Sequence, residues 1–145
     1  MKDHNLKSTC QRFALIVALI IVTANISGCR TAKVFNITIE PLPTKADGSQ
    51  YTSEEVKVSI LEACRDRGWI ASVIEPGLIA ASIRIRTKHY AEIEIRYSNN
   101  SYKITYKYSE NLKYWNGRIH RNYNRWIVKL SNSINKKLGV RPQVY

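Results

Sequence analysis

The sequence predicts an α+β fold, a two-layer sandwich in which an antiparallel sheet of about four strands carries two helices on one face. Four runs of alternating apolar residues follow one another between residues 69 and 108, with short turns between them. A segment with helical apolar periodicity precedes these runs, and a second one follows them. Short connections favour an antiparallel meander, so the expected order is (β)-α-β-β-β-β-α, with the first strand optional.

The first element is a short apolar run, KVFNITI at residues 33–39, followed by a loop rich in Pro, Gly and Asp. The run has the alternation that is typical of a strand. Two placements stay open from the sequence, because such a strand can pair at a sheet edge or belong to a flexible tether.

The first helix is marked at both ends by its sequence. Thr52 followed by Glu55 is a capping-box pattern, and Gly68 is a typical helix stop. Apolar residues recur between these ends at helical spacing, at Val56, Ile60, Ala63 and Cys64. We therefore expect Cys64 to be a buried apolar side chain and not a reactive thiol.

The four strands that follow are WIASVIE, LIAASIRIRT, AEIEIRY and SYKITYKY. The expected turns are Pro76-Gly77, residues 88–90 and residues 98–100. Alternation then makes one side of the sheet apolar, with Ile83, Ile85, Ile93, Ile95, Ile104 and Tyr106 on it.

Charge indicates the register between the second and third of these strands. Placing Ile85 opposite Ile93 brings two pairs of opposite charge together on the outer face of the sheet. These pairs are Arg86 with Glu92 and Arg84 with Glu94. Cross-strand pairs of this kind contribute roughly 0.2 to 1 kcal/mol each. The two glutamates are therefore expected to be ion-pair partners and not the paired carboxylates of an active site.

A second helix is expected over residues 118–138, with Gly139 as its stop. At about 100° per residue, its apolar side chains share one stripe. This stripe contains Ile119, Tyr123, Trp126, Ile127, Leu130, Ile134 and Leu138. The basic side chains form a separate ridge that contains Arg118, Arg121, Arg125, Lys129 and Lys136. The aromatic residues are thus expected in the core, and His120 is expected to serve as a hydrogen-bonding cap.

The N-terminus has the order of a secretory signal peptide: a basic stretch, an apolar stretch at residues 13–26, and small residues after it. The alternative is a membrane-spanning helix. The apolar stretch reaches only roughly 21 Å at about 1.5 Å per residue, while the hydrocarbon core of a bilayer is about 30 Å thick. The signal peptide is therefore favoured.

The ISGC sequence at the end of this stretch resembles the bacterial lipobox. The resemblance implies that lipoprotein signal peptidase recognises Ile26, Ser27 and Gly28 and cleaves before Cys29. It also implies diacylglycerol on the Cys29 thiol and an acyl chain such as palmitate on its amine, and two or three chains anchor a protein firmly in a membrane. Lipoproteins with Asp after the cysteine tend to stay at the inner membrane, so Arg30 favours the periplasmic face of the outer membrane.

These signals divide the chain into four parts. Residues 1–28 are the expected signal peptide, which is removed, and residues 29–50 are the lipidated cysteine and a tether with a possible edge strand. Residues 51–139 are expected to form a single α+β domain, and residues 140–145 a C-terminal tail. Since Cys64 is the remaining cysteine of the mature chain, no internal disulfide is expected.

Three stretches resemble a group of small, uncharacterised, membrane-anchored bacterial lipoproteins. They are RGWIASVIEPGLIAASI, YSNNSYKITYKYSENLKY and GRIHRNYNRWIVKL, which carry the Gly-Trp strand start, the Tyr-rich strand and the Ile-His-x-x-Tyr-Asn-x-Trp helix of that group. The resemblance covers residues 68–130 and the lipobox, and it implies a lipoprotein with a shared fold but no particular activity. Those relatives often have a small or acidic residue where this chain has Trp115, so we expect a local aromatic surface there.

The sequence contains no motif that pairs a nucleophile with a base and no Gly-rich phosphate loop. His89 and His120 are the histidines of the mature chain and are too few to indicate a metal site. We therefore expect no catalytic residue, no metal and no cofactor.

The predicted function is that of a non-enzymatic envelope lipoprotein, a binding or structural module with a basic surface. The formal charge of the whole chain is +12, and a basic surface attracts anionic envelope components or acidic faces of envelope proteins. A merely solvated ridge is an equal alternative. Binding or modification of glycan or peptidoglycan near Trp115 is the alternative function. A nucleic-acid partner is not expected, because it requires a cytoplasmic chain.

Overall fold

The computed structural model describes residues 30–140. The expected signal peptide, the lipobox with Cys29, and residues 141–145 of the expected tail lie outside the described residues. Within residues 30–140, no helix has both the length and the apolar character needed to cross a membrane. A compact unit of the chain begins at Thr31.

The fold is α+β, as the sequence predicts. The elements follow in the order β1 (Thr31–Lys33), β2 (Ile37–Ile39), α1 (Ser53–Asp66), β3 (Ile70–Glu75), β4 (Leu78–Ile85), β5 (His89–Tyr97), β6 (Tyr102–Glu110), β7 (Arg118–His120) and α2 (Arg121–Lys137). An antiparallel five-stranded sheet has the order β2-β6-β5-β4-β3, and β1 and β7 form a separate two-stranded sheet. More strands form than expected because β1, β2 and β7 have only three residues each, which is too short for a clear apolar period.

A hydrophobic core lies between the five-stranded sheet and the two helices. The sheet contributes Ile79, Ile93, Ile95 and Ile104, and the helices contribute Val56, Ile60, Ile127, Leu130 and Ile134, all of them fully buried. Both helices cover the same face of the sheet. The other face carries exposed charges such as Arg84 and Lys103, and the edge strand β3 exposes Ile70 and Ile74.

The predicted start and end of the first helix are confirmed. The Thr52 hydroxyl accepts a hydrogen bond from the Glu55 N–H at 3.2 Å, and the Glu55 carboxylate accepts one from the Thr52 N–H at 2.7 Å. Gly68, with φ +74°, follows the last turn and allows the chain to leave the helix. Cys64 is fully buried as expected, and burial raises its pKa to about 12, so the thiol stays protonated at neutral pH.

Glu55 should make the stability of the fold depend on pH in the acid range. A hydrogen bond from Lys45, followed by those from Thr52, lowers the pKa of Glu55 from 4.5 to about 2. Because the pKa is lower in the folded state, the ionised carboxylate stabilises the fold fully above about pH 4.5, and this contribution decreases below that pH and is lost as the pH falls through about 2. Urea unfolding should therefore find Glu55→Gln less stable than the parent protein at pH 7, with a difference that narrows steadily as the pH falls from about 4.5 towards 2.

Glu54→Gln is the matched control for this measurement, because it removes the same charge from the same turn without touching the capping box. A Glu55→Gln variant that stays as far below the parent protein at the acid end as at pH 7 would contradict the assignment.

The predicted register between β4 and β5 is wrong by four residues: Ile85 lies opposite His89 and not opposite Ile93. His89 and Tyr90 belong to β5, and the turn contains residues 86–88, with positive φ at Arg86 and Thr87. An even slip keeps every side chain on its expected face of the sheet. The apolar side is therefore the predicted one, although Ile85 and Tyr106 are only half-buried.

Neither of the two predicted arginine–glutamate pairs forms among the described residues. Arg84 lies opposite Tyr90, with its guanidinium carbon 4.4 Å from the centre of the ring. Glu94 forms its ion pair with Lys107 at 2.8 Å, and this contact lowers the Glu94 pKa. Glu92 accepts a hydrogen bond from the Tyr90 hydroxyl at 2.5 Å. The two glutamates thus have separate partners, Tyr90 on their own strand β5 for Glu92 and Lys107 on β6 for Glu94.

The strand predicted at residues 33–39 is divided in the structure: Lys33 ends β1, residues 34–36 are irregular, and residues 37–39 form β2, which joins the five-stranded sheet. Strand β2 pairs with β6 as an edge strand, and the side chains of Ile37 and Ile39 are buried in the core. Leu42, a little further along, is also buried. The tether alternative is therefore excluded for this strand.

The second helix begins three residues later than predicted, at Arg121, because residues 118–120 form β7. Ile119 is buried, and a buried side chain at this position fits a helical stripe and a strand equally well. His120 is the helix cap, as expected, and its Nδ1 accepts a hydrogen bond from the Asn122 N–H at 3.2 Å. The helix ends before Gly139, which has φ +71°.

Two buried tyrosines differ in how their hydroxyls are satisfied. The Tyr102 hydroxyl lies 2.8 Å from Ser131 Oγ and 2.6 Å from Asn135 Oδ1, on the inner side of α2. The Tyr123 hydroxyl has no hydrogen-bond partner among the described residues, and burial raises the pKa of Tyr123.

Candidate functional site

The outer side of α2 carries a row of exposed basic side chains, which we call the helix ridge. Its members are Arg121, Arg125, Lys129 and Lys136. The row extends over about 22 Å of helix axis. Tyr123, Ile127 and Leu130 of the same helix are fully buried, and Trp126 is half-buried against the core. The sequence prediction that basic and aromatic side chains separate on this helix agrees with these positions.

Arg118 does not belong to the helix ridge, which corrects its predicted place. It lies in β7, where its backbone pairs with Trp115 on one side and with Lys33 of β1 on the other. Its guanidinium donates to the Thr31 carbonyl at 3.3 Å. A helical wheel puts residue 118 in line with the ridge, but the wheel does not apply to a residue in a strand.

Lys33, Trp115 and Arg118 form a second exposed group, which we call the strand patch. Residues directly opposite each other in an antiparallel pair project to the same face. Lys33 lies opposite Arg118, and Arg118 lies opposite Trp115. Ile119, the next residue of β7, projects the other way and is fully buried. The three side chains of the strand patch therefore project outwards together.

Trp115 is held out by a tight hairpin. Asn116 and Gly117 both have positive φ, and Trp115 and Arg118 exchange two backbone hydrogen bonds of 2.9 Å across them. The Trp115 side chain is 80% exposed, the highest value among the large hydrophobic residues described. The Asn-Gly pair is a strong hairpin signal that the sequence reading missed.

Three tyrosine rings in contact with one another lead from this hairpin into the core. The Tyr114 ring stacks on Tyr106 at 4.6 Å between centroids, and Tyr106 meets the edge of Tyr123 at 5.5 Å. Tyr114 is 46% exposed, while Tyr123 is fully buried in α2. Aromatic contact from the core to the surface thus fixes the base from which Trp115 projects.

Strand β1 is held against α2 by the side chain of Asn124. The Asn124 amide nitrogen donates to the Lys33 carbonyl at 2.8 Å, and its oxygen accepts from the Phe35 N–H at 3.1 Å. The Val34 N–H also donates to the Gly117 carbonyl at 2.8 Å. These contacts position Lys33 beside Arg118, and no local sequence signal predicts them because the partners are far apart in the chain.

Charge is strongly segregated along the chain. Residues 111–145 contain eight Lys and Arg and no Asp or Glu. The basic residues elsewhere often have carboxylate partners, as in Lys45 with Glu55 and Lys107 with Glu94. Among residues 30–140, no carboxylate forms an ion pair with the helix ridge. The ridge therefore presents uncompensated positive charge to the solvent.

The described residues do not assemble a recognisable reaction centre. His120 caps α2, and His89 Nδ1 lies 2.9 Å from the Asn111 carbonyl oxygen. No group of three or more His, Cys, Asp or Glu side chains within residues 30–140 could hold a metal ion. A groove of about 960 Å³ lies beside α1 and the end of α2, but its Glu55 and Lys137 are already engaged in ion pairs.

The chain matches no protein-family model and no curated protein. Its strand patch and helix ridge are two basic surfaces with different structural bases, one a strand pair with an exposed indole and one a helix face. Both surfaces carry cations that attract anions. Neither surface contains a nucleophile that is hydrogen-bonded to a general base.

Proposed function

We propose that this chain is a bacterial envelope lipoprotein whose folded unit is a non-enzymatic binding or structural module. In this proposal lipoprotein signal peptidase recognises Ile26, Ser27 and Gly28 and cleaves before Cys29, so that the lipidated Cys29 is the first residue of the mature chain. Arg30 in the next position favours the outer membrane, with the module facing the periplasm. The order of basic stretch, short apolar stretch and ISGC supports the anchor.

The observation that carries the binding role is the helix ridge without a carboxylate partner among the described residues. A row of fixed positive charge about 22 Å long attracts anionic surfaces and raises their rate of encounter. The periplasm offers lipid headgroups, cell-wall carboxylates and acidic faces of proteins. A lipid anchor would raise the effective concentration of the module towards all of them.

Crosslinking in cells tests the binding role. The variant Arg121→Glu, Arg125→Glu, Lys129→Glu reverses three charges of the helix ridge at exposed positions. We expect it to fold with an unchanged circular dichroism spectrum and to lose the crosslinked species that the parent protein forms in the envelope. Charge reversal of a binding surface replaces attraction by repulsion, so the loss should be nearly complete.

A matched control reverses three exposed basic residues away from α2, one in the turn between β4 and β5 and two on the five-stranded sheet, namely Lys88→Glu, Arg96→Glu and Lys103→Glu. It changes the net charge by the same amount and should keep the crosslinked species. If the ridge variant and the control behave alike, the ridge has no specific partner and is a solvated surface.

The exposed Trp115 supports a second candidate function, binding or modification of glycan or peptidoglycan. Its ring is 80% exposed beside Asn116 and Tyr114, which offers a flat apolar surface next to hydrogen-bonding groups. Co-sedimentation with purified peptidoglycan distinguishes the two candidates. Under this second function the protein sediments with peptidoglycan and Trp115→Ala does not, whereas the leading proposal requires no such loss.

A further inference from the structure

We infer that the strand patch rests on the anionic phospholipid headgroups of the membrane in which the protein is anchored, so that the module lies against the bilayer. This inference rests on the proposed lipidation of Cys29. It gives the strand patch a partner of its own, separate from whatever the helix ridge meets.

The free chain between the lipid anchor and the fold is very short. Only Arg30 separates Cys29 from Thr31, and Thr31 already pairs with His120. Two residues of fully extended chain span at most about 7 Å. A lipidated Cys29 is therefore held within about 7 Å of the start of β1, which leaves no flexible tether to carry the module into the periplasm.

Strand β1 is a fixed attachment point for this anchor. Its backbone pairs with β7, and Asn124 holds both the Lys33 carbonyl and the Phe35 N–H. The Arg118 guanidinium binds the Thr31 carbonyl. An anchor attached to such a strand restrains the orientation of the module as well as its distance from the membrane.

The surface beside this attachment has side chains that suit a membrane surface. Lys33 and Arg118 are exposed cations, and juxtamembrane cations are attracted by anionic lipid. Tryptophan is enriched at the membrane–water interface, where its apolar ring and polar N–H are both accommodated. Trp115 projects from the same face and is 80% exposed. The two cations can therefore contact anionic headgroups while the indole lies in the membrane–water interface beside the lipid anchor.

Fluorescence quenching by brominated phospholipids tests this inference on the mature, lipidated protein in vesicles. Trp69 is 4% exposed, Trp126 is half-buried and Trp115 is 80% exposed, so Trp115 is the tryptophan most accessible to lipid. In vesicles of phosphatidylcholine with phosphatidylglycerol, we expect strong quenching that falls to background in Trp115→Phe. Phosphatidylcholine alone should give weaker quenching, because it lacks the anionic headgroup.

The double variant Lys33→Glu, Arg118→Glu should lose this quenching, and Arg96→Glu, Lys103→Glu should keep it. The two variants are matched, since each reverses two exposed cations that lie directly opposite each other across an antiparallel strand pair. Circular dichroism verifies that each variant is folded. Quenching that is equal in the parent protein and Trp115→Phe would overturn the inference, as would a Trp115-dependent sedimentation with peptidoglycan in its place.

Mass spectrometry of the same preparation separates the two proposals. A mature chain that begins at Cys29 and carries acyl groups, but shows no quenching of Trp115, would leave the lipoprotein assignment intact and overturn the membrane-facing patch alone. A chain with an unmodified Cys29 would overturn both.

Discussion

Ile127→Ala is expected to lower the free energy of unfolding by about 2–5 kcal/mol, the range for truncating a large aliphatic side chain in a core. The Ile127 side chain is fully buried in α2, facing the sheet. Its removal takes apolar surface out of the core and leaves a cavity that the neighbouring side chains fill only in part. Urea unfolding of the variant and the parent protein measures the difference.

Lys129→Ala is the matched control for Ile127→Ala, because it lies two residues along the same helix in the exposed ridge. A surface substitution of this kind changes stability by no more than about 0.5 kcal/mol. Comparable losses in the two variants would contradict the separation of α2 into a core face and a basic face. The outcome therefore also tests whether the ridge can be changed without unfolding the protein.

Removing one hydroxyl from each of two buried tyrosines should have opposite consequences. Tyr102→Phe leaves Asn135 Oδ1 and Ser131 Oγ without their hydrogen bonds to the tyrosine, which costs about 1–3 kcal/mol for a buried polar group. Tyr123→Phe removes a buried hydroxyl that has no partner among the described residues. It should leave stability unchanged or raise it by about 1 kcal/mol.

Thermal and urea unfolding of the two variants provide the comparison, and each serves as the control for the other because both delete the same atom from a fully buried ring. A Tyr123→Phe variant that is less stable than Tyr102→Phe would show that the Tyr123 hydroxyl has a partner after all. The contrast follows from hydrogen bonding alone, since the packing of the two rings is retained.

The helices and the long strands could be predicted from sequence because their signals are local. A capping box begins α1, and alternating apolar residues run through β4, β5 and β6. The register of β4 against β5 could not be predicted in this way, because a slip of four residues leaves the same side chains on the same face of the sheet. Opposite charges do not determine this register either, because the glutamates have other partners, Lys107 for Glu94 and the Tyr90 hydroxyl for Glu92.

The three short strands needed information that the sequence does not hold locally. β1, β2 and β7 each have three residues, and each is defined by a partner strand far along the chain. Arg118 was therefore assigned to a helix although it lies in β7. The Asn124 contacts with β1 are equally non-local.

The candidate site was predicted in part. The four residues of the helix ridge were found because helical periodicity separates them from the apolar stripe. Lys33 was missed because it joins the strand patch only through the pairing of β1 with β7. Two further signals were readable in the sequence: the Asn-Gly turn that holds Trp115 out, and the absence of any acidic residue after residue 110.

The pairing of β1 with β7 also has a consequence for the order of folding. Thr31 and His120 are 89 residues apart, so β1 can pair with β7 only after residues 118–120 have been synthesised. Contacts between distant segments form slowly because a long loop must close first. The hairpins β3 to β6 can form while the chain is still incomplete, whereas closure of β1 onto β7 comes late. A chain shortened from its C-terminal end before Arg118 would lose the partner of its first strand.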